Sequence, residues 1–99
     1  MFINLGQNGK NMVILHPTLD ACVETQARRL YNQTVSALLK TPDDLRLQEQ
    51  LETLQLFLEQ ADFHKLRAES ELLLIDGRKV AFTVWREDGK ARWKMNVNL

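Results

Sequence analysis

A stripe of apolar residues in the middle of the chain constrains its fold more than any other stretch. The members recur at alternating spacings of four and three: Leu47, Leu51, Leu54, Leu58 and Ala61. This spacing puts them on one face of a helix, and Phe57 widens that face. The residues between them are mostly Gln and Glu, which suit a solvated surface. The stretch therefore predicts an amphipathic helix whose apolar side must pack on another element.

A first helix is predicted before this one. Thr18 is its expected N-cap, and apolar residues then follow at helical spacing to about Leu39. Thr41 is the expected cap of the next helix, with Pro42 at the first helical position, where its missing N–H costs nothing. Because the connection is so short, the two helices must run antiparallel as a helical hairpin.

Residues 2–15 have the pattern of a β-hairpin. Two apolar stretches flank Asn8-Gly9, which is a favoured pair for a type I′ turn. With a two-residue turn, the apolar residues of the two strands face one another. The alternative is a frayed N-terminus, with the ordered chain starting near Met12.

The last third of the chain predicts three antiparallel strands joined as a meander. Asp76-Gly77 and Asp88-Gly89 mark the two turns between them. The strands themselves are three stretches: residues 66–75, Val80–Trp85 and Ala91–Val97. For the first stretch, the alternative is a helix that continues to Ser70, since its apolar residues would also share a helical face.

The two turns set the register of this meander. A two-residue loop at Asp88-Gly89 aligns three pairs of large apolar residues on one face, the predicted core face: Val84–Trp93, Phe82–Met95 and Val80–Val97. A two-residue loop at Asp76-Gly77 would place Glu71 opposite Phe82 on that face, where an unpaired carboxylate is expensive to bury. A three-residue loop with a bulge is therefore predicted, with Leu72 and Leu74 in the core.

The predicted fold class is α+β in one domain of 99 residues. It consists of an N-terminal β-hairpin, an antiparallel two-helix hairpin, and a C-terminal three-stranded antiparallel meander packed on the helices. One helical hairpin covers one face of the sheet, and Trp85 opposite Arg92 on the other face suits a cation–π contact. That second face is too apolar to be left entirely in water. Its predicted residues are Leu73, Ile75, Ala81, Thr83, Trp85, Arg92, Lys94 and Asn96.

No catalytic or metal-binding pattern stands out in the sequence. His16, His64 and Cys22 are the residues best suited to a soft or borderline metal, and no two of them have zinc-like spacing. The glycines are scattered and build no phosphate-cradling loop. The Glu residues of the central helix lie on its polar side, which a solvated face explains better than an acid–base pair. We therefore expect a protein that is not an enzyme and uses no cofactor or metal.

The function expected from the sequence is that of a small, non-catalytic protein-interaction module. We expect it to bind itself or another protein through the second sheet face, at Leu73, Ile75, Thr83, Trp85, Arg92 and Lys94. Residues 41–76 carry nine acidic and three basic groups, and residues 77–99 carry six basic and two acidic groups, so copies could pair by charge. The alternative is single-stranded nucleic-acid binding, because aromatic and basic side chains on a sheet can stack bases and hold phosphates.

The composition also predicts a cytoplasmic protein without a membrane partner. The single cysteine allows no intrachain disulfide, and no apolar run has the length of a membrane span. The first residues lack the pattern of a secretory signal. Net charge is zero, so the whole molecule has no bulk attraction to nucleic acid or anionic membrane.

Overall fold

A computed structural model describes residues 11–98 of the chain. This part contains, in order, β1 (Val13–Leu15), α1 (Val23–Lys40), α2 (Leu45–Gln60), α3 (Phe63–Ile75), β2 (Lys79–Glu87) and β3 (Lys90–Asn98). The strands form an antiparallel sheet in the order β1-β2-β3, and the helices pack against it. The predicted α+β class is confirmed. The first strand and turn of the predicted N-terminal hairpin lie outside the described residues.

The start of α1 differs from the prediction because Thr18 closes a turn instead of capping a helix. Its N–H donates to the carbonyl oxygen of Ala21, and its hydroxyl accepts from the N–H of the same residue. The helix begins only at Val23, after Cys22 at the N-cap position, whose side chain makes no capping hydrogen bond. The predicted cap at Thr18 is therefore wrong by one turn of helix.

The start of α2 also lies later than predicted. Asp44 is the N-cap, and its Oδ1 accepts from the N–H groups of Arg46 at 3.0 Å and Leu47 at 3.2 Å. Thr41 instead follows the last turn of α1, where its hydroxyl donates to the carbonyl oxygen of Ala37. A carboxylate that satisfies two free N–H groups at the positive end of the helix is the stronger cap.

The two long helices are joined side by side by a buried polar contact. Gln50 of α2 donates from Nε2 to the hydroxyl of Thr34 on α1 at 2.7 Å, and that hydroxyl donates to the carbonyl oxygen of Leu30. Thr34 is only 2% exposed, so this contact satisfies a polar group inside the layer. Thr34 and Gln50 lie at similar distances on either side of the connection, as expected for helices that run antiparallel.

The predicted first strand of the meander is wrong, because residues 63–75 form α3. Asp62 caps this helix by accepting from the N–H of Lys65. Asp76-Gly77 ends it instead of turning a hairpin: Gly77 has φ +83°, and its N–H donates to the carbonyl oxygen of Leu74. The predicted three-residue loop with a bulge is therefore absent at this point of the described chain. The alternative helix to Ser70 was closer, but the helix runs five residues further.

Leu72 does not occupy the core position predicted for it, because its segment is helical. Its side chain is 72% exposed, while Leu66 and Ser70 of α3 are buried. Ser70 tolerates burial because its hydroxyl donates to the carbonyl oxygen of Leu66 at 2.8 Å. Leu74, which was also predicted for the sheet core, packs half-buried against the core from α3.

The third strand of the sheet is β1, which comes from the other end of the chain. Val13 pairs with Val84 and Leu15 pairs with Phe82, both antiparallel. The predicted register of the C-terminal hairpin is confirmed in all three pairs: Val84–Trp93, Phe82–Met95 and Val80–Val97. Its turn has positive φ at both central residues, 54° at Asp88 and 73° at Gly89, as a type I′ turn requires.

The core lies between the sheet and the helices and is centred on Phe57. This fully buried ring meets Phe63 of α3 edge-on, with centroids 5.2 Å apart, and Trp93 of β3 at 5.4 Å. Leu54 of the predicted stripe is also fully buried, and Leu58 is half-buried and packs against the core. The stripe thus faces the core as predicted.

Candidate interaction face

One face of the sheet points away from the helices. Val80, Phe82 and Val84 are buried, so the alternate residues of β2 must project to the other side. We call this side the outer face. Its residues are Ile14 of β1, Ala81, Thr83, Trp85 and Glu87 of β2, and Lys90, Arg92, Lys94 and Asn96 of β3.

Trp85 lies on the central strand of the outer face and is half-buried. It is paired in register with Arg92, as predicted. The guanidinium of Arg92, however, is directed to Glu87, with Nε 3.6 Å from Oε1. The ring contacts shown within residues 11–98 join Phe57 to Phe63 and to Trp93, so the predicted cation–π contact is not shown. Part of the indole is exposed on the outer face.

The neighbours of Trp85 divide the outer face into an apolar side and a cationic side. Thr83 stands in register between Ile14 of β1 and Lys94 of β3. Ile14 is 56% exposed, and the Lys94 side chain is exposed as well. Asn96 donates from Nδ2 to the hydroxyl of Thr83 at 3.2 Å. Apolar contact area thus lies along β1, and hydrogen-bonding and charged groups lie along β3.

Two of the predicted site residues lie elsewhere. Leu73 and Ile75 belong to α3, because the segment predicted as a strand is helical. Leu73 packs half-buried against the core, and Ile75 is exposed at the end of the helix. The sheet brings together the other four: Thr83, Trp85, Arg92 and Lys94. Ile14 takes the place that the prediction gave to Leu73 and Ile75.

The basic residues of the C-terminal segment are divided between the two sides of the sheet. Lys90, Arg92 and Lys94 form an exposed row on the outer face. Arg86 points to the helix side, where it pairs with Glu52 and lies 3.6 Å from Glu49 on α2. The acidic surface of α2 therefore lies on the side of the sheet opposite the outer face. Arg86 compensates part of its negative charge.

Within the described residues, side chains that could bind a metal do not form a cluster elsewhere in the fold. No group of three or more His, Cys, Asp or Glu side chains within the described range is placed to hold a metal ion. Cys22 is half-exposed at the N-cap position of α1. A contact of 3.4 Å with the hydroxyl of Thr25 lowers the pKa of the Cys22 thiol, and partial burial opposes this effect.

In the part of the chain that the structure covers, no helix combines the length and apolarity needed to cross a membrane.

The comparison with known proteins gives a family assignment. A protein-family model matches residues 12–93. The chain belongs to this family. The matched range starts just before β1 and ends within β3, so it includes all three helices described above and most of the outer face.

One relative matches over part of the chain. It is a protein of Archaeoglobus fulgidus, described as an uncharacterized protein, and it is 45% identical over 58 residues. The alignment covers 56% of this chain and 67% of the relative. No solved structure matches the chain.

Proposed function

We propose that this chain is a small, non-catalytic protein-interaction module that self-associates through its outer face. The observation that carries the proposal is Trp85, which stands half-exposed in the middle of a sheet face while the helices cover the other face. Aromatic side chains and Arg are the residue types most enriched at interface centres. Trp85 and Arg92 stand directly opposite each other at this position.

The charges of the outer face favour one arrangement of two copies. If a two-fold axis runs parallel to the strands, β3 of one copy lies over β1 of the other, and the two central strands meet. The cationic row of one copy (Lys90, Arg92 and Lys94) then covers the apolar side around Ile14 of the other copy. The two cationic rows do not face each other. Long Lys and Arg side chains can cover apolar surface with their stems while their charges stay in water. This arrangement places Trp85 at the axis and avoids repulsion between like charges.

Replacing Trp85 by alanine is expected to weaken self-association by at least about tenfold, because central aromatic anchors contribute about 2 kcal/mol or more to binding. The variant should stay folded, since the ring faces away from the core. Sedimentation velocity at several protein concentrations measures the association. Leu39→Ala is the control, because this side chain is 80% exposed on α1, away from the sheet.

Two outcomes would contradict this reading of Trp85. Wild-type protein that remains monomeric at high concentration would exclude self-association. A Trp85→Ala variant that loses about 3–5 kcal/mol of stability with unchanged assembly would instead place the ring inside one folded chain.

Single-stranded nucleic-acid binding is the second candidate, and the exposed row of Lys90, Arg92 and Lys94 beside Trp85 favours it. Three phosphate contacts on a single strand predict a slope of about −2 for log affinity against log salt concentration. Titration with a mixed-sequence oligonucleotide, followed by tryptophan fluorescence at two salt concentrations, measures this slope. Binding that is absent, or that does not respond to salt, would remove this candidate.

A further inference from the structure

The free side of β3 is a second surface that the outer face does not include. β3 pairs with β2 through all nine of its residues, from Lys90 to Asn98. It is the last strand of the sheet in the part of the chain that the structure describes, so its other side has no strand neighbour there. A long open edge of this kind is a template for pairing with another strand.

The turn geometry shows which backbone groups point to this edge. In a two-residue hairpin loop, the flanking residues Glu87 and Lys90 exchange both backbone hydrogen bonds, and the bonding alternates along the strands from there. Ala91 therefore points away from β2, and its N–H indeed donates to Oε1 of Gln60 on α2 at 2.9 Å. The same alternation directs the N–H and C=O groups of three further residues to the open edge: Trp93, Met95 and Val97.

The side chains of β3 are self-complementary in one antiparallel register. With a two-fold axis at Met95, Lys94 lies opposite Asn96 of the second copy, and Trp93 lies opposite Val97 of the second copy. An axis at Lys94 would place that cation against itself, and an axis at Trp93 would oppose Arg92 and Lys94. Like charges directly opposite each other destabilise a strand pair. An axis at Asn96 also keeps the cations apart, but within β3 it forms only two open-edge pairs, both between Met95 and Val97. The axis at Met95 separates the cations and uses all three open-edge residues.

We propose that two copies of this chain pair antiparallel through their β3 edges, with the two-fold axis at Met95. The contact forms three hydrogen-bonded residue pairs with two backbone bonds each, and it joins two three-stranded sheets into one of six strands. The half-buried side chains of Trp93, Met95 and Val97 gain cover on the helix side. Both outer faces then lie on the same side of the joined sheet, so this contact goes beyond the proposed function and does not occupy its surface.

Hydrogen exchange of backbone amides tests the proposal directly. The amides of Trp93, Met95 and Val97 should exchange at least about tenfold more slowly at high than at low protein concentration, because only the second copy protects them. The amides of Arg92, Lys94 and Asn96 bond to β2 in one chain and serve as internal controls. Equal exchange of the first three at all concentrations overturns the proposal and indicates an edge protected by its own lysines.

A matched pair of substitutions at Asn96 tests the register. Asn96 is exposed, and both changes remove its hydrogen bond to Thr83, so folding should respond similarly to either change. Asn96→Glu sets a carboxylate opposite Lys94 of the second copy and should strengthen the dimer by about 2- to 30-fold over its two symmetric contacts. Asn96→Lys should weaken the dimer by a similar factor. Weakening by both variants, or by neither, would overturn the axis at Met95.

Trp85→Ala separates this proposal from the proposed function. If the edge contact is real, the variant keeps the concentration-dependent protection of Met95 and its neighbours, whatever happens at the outer face. If Trp85→Ala removes that protection together with all association, the chain self-associates through the outer face alone and the edge proposal fails. If protection persists and the variant associates as the wild type does, the outer-face proposal fails and the edge contact stands.

Discussion

Replacing Phe57 by alanine is expected to lower the free energy of unfolding by about 3–5 kcal/mol, the usual cost of truncating a core aromatic residue. Phe57 is fully buried and contacts the rings of both Phe63 and Trp93. The substitution would therefore open a cavity where α2, α3 and β3 meet. Each lost edge-to-face contact adds to the cost of the lost apolar burial.

Urea denaturation followed by circular dichroism measures this change. Leu39→Ala on α1 is the matched control: its side chain is 80% exposed, so its effect should stay within about 0.5 kcal/mol. A Phe57→Ala variant that loses less than about 1 kcal/mol would show that the three elements do not converge on this ring.

Leu66 and Leu72 are expected to respond very differently to the same truncation. Leu66→Ala should cost about 2–5 kcal/mol, because the side chain is 6% exposed and belongs to the core. Leu72→Ala should change stability by no more than about 0.5 kcal/mol, because the side chain is 72% exposed. The two residues are six positions apart on the same helix, so the helix itself is affected similarly by both changes.

Chemical denaturation of the two variants side by side measures the difference. The pair also tests the secondary structure of this segment. In the strand register argued from the sequence, Leu72 points into the core and its truncation would be the costly one. A large loss for Leu72→Ala would therefore contradict the helical structure of α3.

The segment that became α3 shows why a sequence pattern can fail. Residues 72–75 are four apolar residues in a row, which match an alternating and a helical pattern equally well. Asp76-Gly77 is similarly ambiguous, because the same pair suits a hairpin turn and the end of a helix. The decisive fact is tertiary: on a helix, Leu66 and Ser70 reach the core one turn apart.

Both long helices begin later than the sequence predicts, and for α2 the reason is local. The segment Thr41-Pro42-Asp43-Asp44 offers more than one side chain that can cap a helix. The sequence does not reveal that Thr41 is used to end α1 and Asp44 to begin α2. The C-terminal hairpin was predictable because its turn pair and the apolar matching across its strands lead to the same register.

The candidate face was predictable where it depends on that hairpin. Thr83, Trp85, Arg92 and Lys94 follow from the alternation of β2 and β3 alone. Ile14 could not be assigned to the same face, because β1 pairs with β2 through a contact between distant parts of the chain. The hairpin rules pair residues 12–15 with the preceding segment, because they consider only neighbours in sequence.

The position of β1 has a consequence for the order in which the chain folds. Val13 pairs with Val84, which is 71 positions later (84 minus 13), whereas the helical pair and the C-terminal hairpin close over a few residues. Loop-closure entropy delays contacts of long sequence separation, while local hairpins form within microseconds. The three-residue strand β1 is therefore expected to join the sheet last. The folding rate of the whole chain then depends on how fast β1 pairs with β2.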